Sequence, residues 1–238
     1  DKGAKEEGVG AGLPGSLTVS GSIGERPVVW TSGAPSTLCY RLPPAYNLNP
    51  KQLLIFVGDG ADGMYYPTGL LDAGPDQPLP TAGEGCQSLS VSPGIPAGAE
   101  YTLRVQHEAQ VLAATGVLLA HAVLAWEAYT LGDENGQPVL TLPVAWSITP
   151  AATTASDVIK VVDAQGDVVD WFFTSCSCKG PPGAEAVPQG QAEVKLYAPV
   201  DKSPGQYYLH LHPEGEEFVG AVADDWIPWK TAWGLSSG

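Results

Sequence analysis

The residues whose types and spacing could do chemistry are few, and most stand in short groups. Asp59 and Asp62 lie in the run Gly58-Asp59-Gly60-Ala61-Asp62-Gly63. Carboxylates in a turn of small residues could supply hard oxygen ligands to Ca²⁺. The spacing and terminal glutamate of an EF-hand are absent, so solvated carboxylates in a tight turn are the plainer reading. Tyr65 and Tyr66 follow at once. Aromatics beside small polar residues suit docking of a receptor protein or a glycan, although packing in a core is the commoner use of tyrosine. His210 and His212 are two apart, so on a strand they share a face. Glu214, Glu216, Asp224 and Asp225 come soon after, but no third ligand stands at a recognised metal spacing. His107 and His121 fall in apolar runs and read as structural.

The cysteines are Cys39, Cys86, Cys176 and Cys178. Four allow three pairings. Free buried thiols are the expected state. One disulfide between distant strands, or a zinc site, is the alternative, and zinc lacks the usual second close pair. No Gly-x-Ser-x-Gly surrounds a serine, and Gly-Leu-Ser-Ser-Gly at the C-terminus is the wrong context for a nucleophile elbow. There is no P-loop and no strand–Gly-x-Gly-x-x-Gly–helix unit. The chain therefore reads as non-enzymatic, with no resident cofactor beyond the Ca²⁺ alternative.

The elements that must position these residues are short. Gly 29 and Pro 22 of 238 residues break the apolar runs every dozen residues or so. That rhythm predicts an all-β fold, an antiparallel β-sandwich or jelly-roll-like barrel with long Gly/Pro loops. Strands are expected at Ser16–Ser20, Pro27–Thr31, Ser36–Leu42, Leu53–Val57, Ser88–Ser92 and Glu100–Gln106. Gly116–Leu131 reads as one long alternating strand, and Asn135-Gly136 predicts a hairpin returning through Val139–Ile148, with Pro143 at an edge or bulge. Val158–Val162 with Val168–Thr174, and Glu193–Ala198 with Gln206–His212, read as two further hairpins. Residues 66–86 read as an exposed excursion. Domain organisation follows: a mobile tail over 1–15, one β domain over 16–223 with an internal linker at 149–156, and a Trp-rich segment over 224–238. There Trp226, Trp229 and Trp233 recur at helical spacing behind Asp224 as N-cap, so a short C-terminal helix is expected.

Composition excludes some partners. The formal net charge is −15, and the 11 lysines and arginines are scattered. No run of them could neutralise successive phosphates, so neither nucleic acid nor an anionic membrane surface is an expected partner. No apolar stretch reaches the roughly 18 residues of a spanning helix. Charged residues are 16%, below the roughly 25% of ordinary soluble domains, and no Asn-x-Ser/Thr sequon is present.

Two stretches carry a family resemblance. Ala125-Trp-Glu-Ala-Tyr-Thr-Leu131 resembles the closing strand of small-virus coat jelly rolls, and Glu193-Val-Lys-Leu-Tyr-Ala-Pro-Val200 is similar to strands of protruding domains in hepatitis E-like and nodavirus-like capsids. The chain thus resembles a capsid protruding or spike domain of a small non-enveloped positive-strand RNA virus, of the nodavirus-like, Lake Sinai-like or astrovirus type. That resemblance implies a virion-surface location, host attachment through the loops 58–86 and 179–191, and a homo-oligomer, dimer or trimer. The alternative is a secreted microbial β-sandwich that binds carbohydrate or acts on glycans.

Overall fold

The computed structural model describes residues 12–23, 25–32, 35–43, 52–58, 65–71, 83–89, 91, 94–107, 109–197, 206–215, 219–223 and 227–228. All regular structure among them is β, apart from two single 3-10 turns. The fold is a set of antiparallel sheets packed as sandwiches, and no sheet among the described residues closes into a barrel. The chain divides into two compact units. Unit 1 is Asp1–Thr31 with Pro35–Ala120, and unit 2 is Ser32–Ala34 with His121–Gly238. The β domain read over 16–223 spans parts of both units.

Unit 1 holds a three-stranded sheet in the order β1 (Ser16–Val19), β4 (Ser36–Arg41), β7 (Glu84–Leu89). Its second sheet runs β2 (Ser22–Ile23), β3 (Arg26–Trp30), β9 (Gln110–Ala120), β8 (Glu100–His107), β5 (Gln52–Gly58), β6 (Tyr65–Leu71). All pairs are antiparallel except β3 with β9. Strand alternation sends Leu17 and Leu38 inward from the first sheet and Leu103, Val105, Val117 and Leu119 inward from the second, and these form one buried cluster. The excursion read over 66–86 is corrected, since it contains β6 and the start of β7. Pro67 and Gly69 disguise β6 in the sequence, and as the last strand of its sheet it tolerates them.

The thiols are corrected as well: none of the four cysteines is free. Cys39 and Cys86 are register partners in the β4–β7 ladder and are joined by a disulfide spanning 47 residues. Cys176 and Cys178 form a second bridge across a separation of 2. Chain-entropy reasoning credits the long bridge with about 4 kcal/mol and the short one with under about 2 kcal/mol.

Unit 2 is built on β12 (Gln137–Ile148). Leu140, Leu142, Val144, Trp146 and Ile148 are buried, and the residues between them are not. Along one edge β12 pairs first with β11 (Thr130–Glu134) and then with β10 (Ala122–Trp126), and along the other with β15 (Gln189–Tyr197). The expected single strand over Gly116–Leu131 is therefore three pieces. β9 ends at Ala120, His121 opens unit 2, and Glu127–Tyr129 separates β10 from β11. Pro143 sits at that last break, where its carbonyl accepts from the Glu127 N–H at 3.0 Å. A strand residue's N–H and C=O point to the same side, so the donor that proline lacks falls where no partner strand runs. The Asn-Gly turn forms as expected, with φ of 57° at Asn135 and 78° at Gly136.

The second sheet of unit 2 runs β14 (Val168–Phe173), β13 (Val158–Asp163), β16 (Gln206–His212), β17 (Ala221–Val222), with β18 (Ile227–Pro228) also on β16. Trp146 and Phe172 bring the two sheets together, ring centroids 5.7 Å apart. The β13–β14 hairpin is as expected. The hairpin expected between β15 and β16 does not form: both strands exist, but they belong to different sheets. The linker expected at 149–156 is a folded part of unit 2. Pro150–Ala152 makes a 3-10 turn, Ala152 is fully buried, and Thr153 Oγ1 donates to Thr149 O at 3.0 Å. The helix expected at the C-terminus gives way, at Ile227–Pro228, to a strand opposite Tyr207 and Gln206. Trp226, Trp229 and Trp233 lie outside the described residues.

Candidate functional site

In unit 2 two sheet edges, β14 and β15, flank a cleft of about 280 Å³. Alternation along β15 buries Val194 and Leu196 and turns Lys195 and Tyr197 outward. Val168 at the start of β14 is 48% exposed and Tyr197 is 45% exposed, so the cleft carries an apolar and an aromatic surface open to solvent. Its polar groups come in two sets. Asp170 is buried, with Oδ1 2.5 Å from Lys179 Nζ, and the same oxygen accepts from the Trp171 N–H at 2.8 Å. The Lys195 ammonium donates to Glu134, and the Tyr197 hydroxyl donates to Glu134 Oε2 at 2.8 Å.

These contacts fix charge. The hydrogen bond from Lys195, then that from Tyr197, holds the Glu134 carboxyl below its ordinary range. Glu134 in turn raises Lys195 and, through the hydrogen bond first, raises Tyr197. Glu134 is thus held ionised and is a poor proton donor, whereas Tyr197 stays a neutral phenol. The arrangement offers a ring face, a carboxylate and two ammonium groups around one concavity. It suits recognition of a ligand with both C–H faces and hydroxyls.

A broader groove of about 460 Å³ lies on the outer face of the three-stranded sheet in unit 1. Its charged pair, Arg41 Nε and Glu84 Oε1 at 2.6 Å, is already satisfied, and the Cys39–Cys86 bridge lines it.

The residues singled out from sequence fare differently. Asp59 and Asp62, the Ca²⁺ candidates, lie outside the described residues. Tyr65 and Tyr66 open β6 opposite Val57 and Phe56, and their side chains lie outside what is described. His210 and His212 do share a face of β16, ring centroids 6.2 Å apart. Burial, and then the Lys160 charge directly opposite, lowers the His210 pKa. Glu214, which follows them, turns away in the left-handed region at φ 53° and gives its N–H to Asp157 Oδ1 at 3.0 Å. Among the described residues no three His, Cys, Asp or Glu side chains are placed to hold a metal ion.

Sequence reasoning named none of the cleft's side chains as site residues, although Lys179 falls in the loop 179–191 expected to carry attachment. The cleft's lining residues Asp170, Lys179, Lys195 and Tyr197 come from three separate stretches, and Glu134, which pairs with the last two, from a fourth. The one local signal was Lys195 and Tyr197 alternating with buried Val194 and Leu196, and it carried no hint of partners.

No family model matches the chain, and no curated protein is similar to it. Several solved structures can be aligned with it at low similarity. Bovine butyrophilin is 12% identical over 91% of this chain and 99% of its own, with a TM-score of 0.28. A DUF3823 family protein from Bacteroides ovatus is 8% identical over 90% and 98%, with a TM-score of 0.28. A protein from Bacteroides uniformis, described as a candidate carbohydrate binding protein, is 9% identical over 90% and 95%, with a TM-score of 0.24. These scores are too low to carry an argument, so the all-β sandwich assignment rests on the strand pairing and the burial of the chain itself.

Proposed function

We propose that this chain is a secreted, non-catalytic β-sandwich module that binds carbohydrate in the β14–β15 cleft. The observation that carries the reading is Tyr197. Its ring is half exposed at the cleft while its hydroxyl is pinned to Glu134, so the aromatic face is held in place before any ligand arrives. Sugars present C–H faces that pack on such rings and hydroxyls that pair with fixed carboxylates and ammonium groups. Two disulfides support an oxidising, extracytoplasmic setting.

The virion-spike reading shares the binding role and adds a host receptor and a homo-oligomer. It rests on its two sequence stretches alone. One of them, Ala125–Leu131, is interrupted at Glu127–Tyr129 rather than running as a closing strand.

A glycan array followed by calorimetry on the whole chain tests the proposal. Binding to at least one oligosaccharide is expected, with Tyr197→Ala and Val168→Asp each weakening it about tenfold or more, the loss typical of removing a central contact. Both positions are exposed enough to be changed without unfolding. An array with no binding, or binding indifferent to both substitutions, overturns it.

A further inference from the structure

We infer that the Cys176–Cys178 disulfide is a site of thiol–disulfide exchange with external thiols, whereas Cys39–Cys86 is a structural bond. The inference is independent of the carbohydrate reading.

The first observation is that the turn carrying Cys176 and Cys178 does not need its bridge. The Phe173 N–H donates to Cys178 O at 3.0 Å, and the Ser177 N–H donates to Phe173 O at 2.8 Å. Ser175 Oγ donates to Ala155 O at 2.6 Å and accepts from the Gly183 N–H at 2.8 Å. These bonds close the turn and anchor both its flanks. A cross-link between residues separated by 2 then removes little freedom from the unfolded chain. Linkage is reciprocal: a bond that adds little to the fold gains little from it, and so resists reduction poorly. The converse holds for Cys39–Cys86, whose separation is 47 and whose partners face each other inside a six-residue ladder.

The second observation is local geometry, since access does not separate the bridges: Cys176 and Cys86 are exposed, and Cys178 and Cys39 are half-buried. Ser177, the one residue spanned by the bridge, sits at φ 53°, where a residue with a Cβ is disfavoured. The third is what waits for the product. Pro181 O lies 3.9 Å from Cys176 Sγ and 3.7 Å from Cys178 Sγ. It is an acceptor already in place for the S–H groups that reduction creates.

The chemistry balances with a thiol as the reductant. A thiolate RS⁻ attacks Cys176 Sγ, the S–S bond breaks, and its electron pair leaves on Cys178 Sγ, which takes up a proton. A second RS⁻ attacks the RS sulfur of the mixed disulfide and releases Cys176 as a thiolate, which is protonated in turn. Two RSH are oxidised to RSSR, and the cystine is reduced to two thiols.

The test uses the whole chain in graded reduced glutathione, quenched with iodoacetamide and read by peptide mass spectrometry. Cys176 and Cys178 are expected to be alkylated at reductant concentrations at least tenfold below those needed for Cys39 and Cys86, with the thermal midpoint unchanged. In oxidised glutathione the variant Cys178→Ser is expected to accumulate a glutathione adduct on Cys176, whose thiolate attacks one sulfur of GSSG and releases the other half as glutathione thiolate. Joint reduction of the two bridges, earlier reduction of Cys39–Cys86, or alkylation of Cys176 and Cys178 only as the protein unfolds would each overturn the inference. As a check that needs no reductant, Cys176→Ser/Cys178→Ser should melt within a few degrees of the wild type. A large loss of stability would mark the bridge as structural and sink the idea.

Discussion

Gly190 stands opposite Trp146 in the β12–β15 register, and a Cβ added to it would lie 2.3 Å from the indole Cζ2. Trp146 is buried and its Nε1–H donates to Val187 O at 3.1 Å, so the ring is held on both sides and cannot yield. Gly190→Ala should therefore cost roughly 1–3 kcal/mol, the range for overpacking a rigid site. Gly180→Ala, where nothing lies within 4 Å, is the control and should change little. Urea midpoints of the two variants decide the matter, and equal midpoints would refute the contact.

Asp157 is fully buried and accepts three hydrogen bonds, from Thr154 N–H at 2.9 Å, Thr154 Oγ1 at 2.7 Å and Glu214 N–H at 3.0 Å. Asp157→Ala strands those donors and should cost on the order of 3 kcal/mol. Burial first, with the Glu214 charge adding, pushes the Asp157 pKa above its ordinary value despite these bonds. The folded state then holds this proton more tightly than the unfolded chain. The stability linked to it is full below the ordinary carboxylate value of about 3.9 and is lost as pH rises through the raised value. Wild type should accordingly lose ground to the non-titrating Asp157→Asn as pH rises above the ordinary carboxylate value of about 3.9. A gap that widens in favour of wild type over that range would contradict the assignment.

The two disulfides should separate in their effect on stability. Cys39→Ser/Cys86→Ser should lower the stability of unit 1 by up to about 4 kcal/mol by the chain-entropy argument. Chemical denaturation followed by hydrogen exchange in β4 and β7 would report the loss where it occurs. A midpoint indistinguishable from wild type would mean that residual structure in the unfolded chain already removes the freedom the bridge is credited with removing.

Tyr197 offers a spectroscopic check on the cleft. Its hydroxyl is raised chiefly by the hydrogen bond to Glu134, then by burial, then by the Glu134 charge. Glu134→Gln should bring its ionisation back toward the ordinary tyrosine value of about 10. An NMR titration of ring-labelled tyrosine reads this residue alone. An unmoved Tyr197 curve would dissolve the proposed network.

Much of the scaffold was legible because side-chain alternation reports burial directly. β12 could be read from Leu140, Leu142, Val144, Trp146 and Ile148, and its hairpin from Asn135-Gly136. Alternation does not say which sheet a strand joins. The run from Gly116 to Leu131 keeps its period across His121, so the change of unit there was invisible, although an exposed histidine amid apolar residues marks it. For the same reason Glu193–Ala198 and Gln206–His212 read as a hairpin, when β15 pairs with β12 and β16 with β13. The Cys39–Cys86 bridge and the β14–β15 cleft were hidden because both depend on register between segments far apart in the chain.

Pro143 has a consequence for how unit 2 finds its pairing. A strand as regular as β12 could slide by two residues along β10 and β11 and still send the same kind of side chain inward, so hydrophobic patterning is blind to that error. The proline is not blind to it. In the native alignment its missing donor meets the gap at Glu127–Tyr129, whereas a two-residue slip toward β10 sets the ring opposite Ala125, whose carbonyl would then go unanswered. One residue that weakens the ladder locally thus acts as a one-way ratchet pin, rejecting a misaligned form that its apolar neighbours would accept.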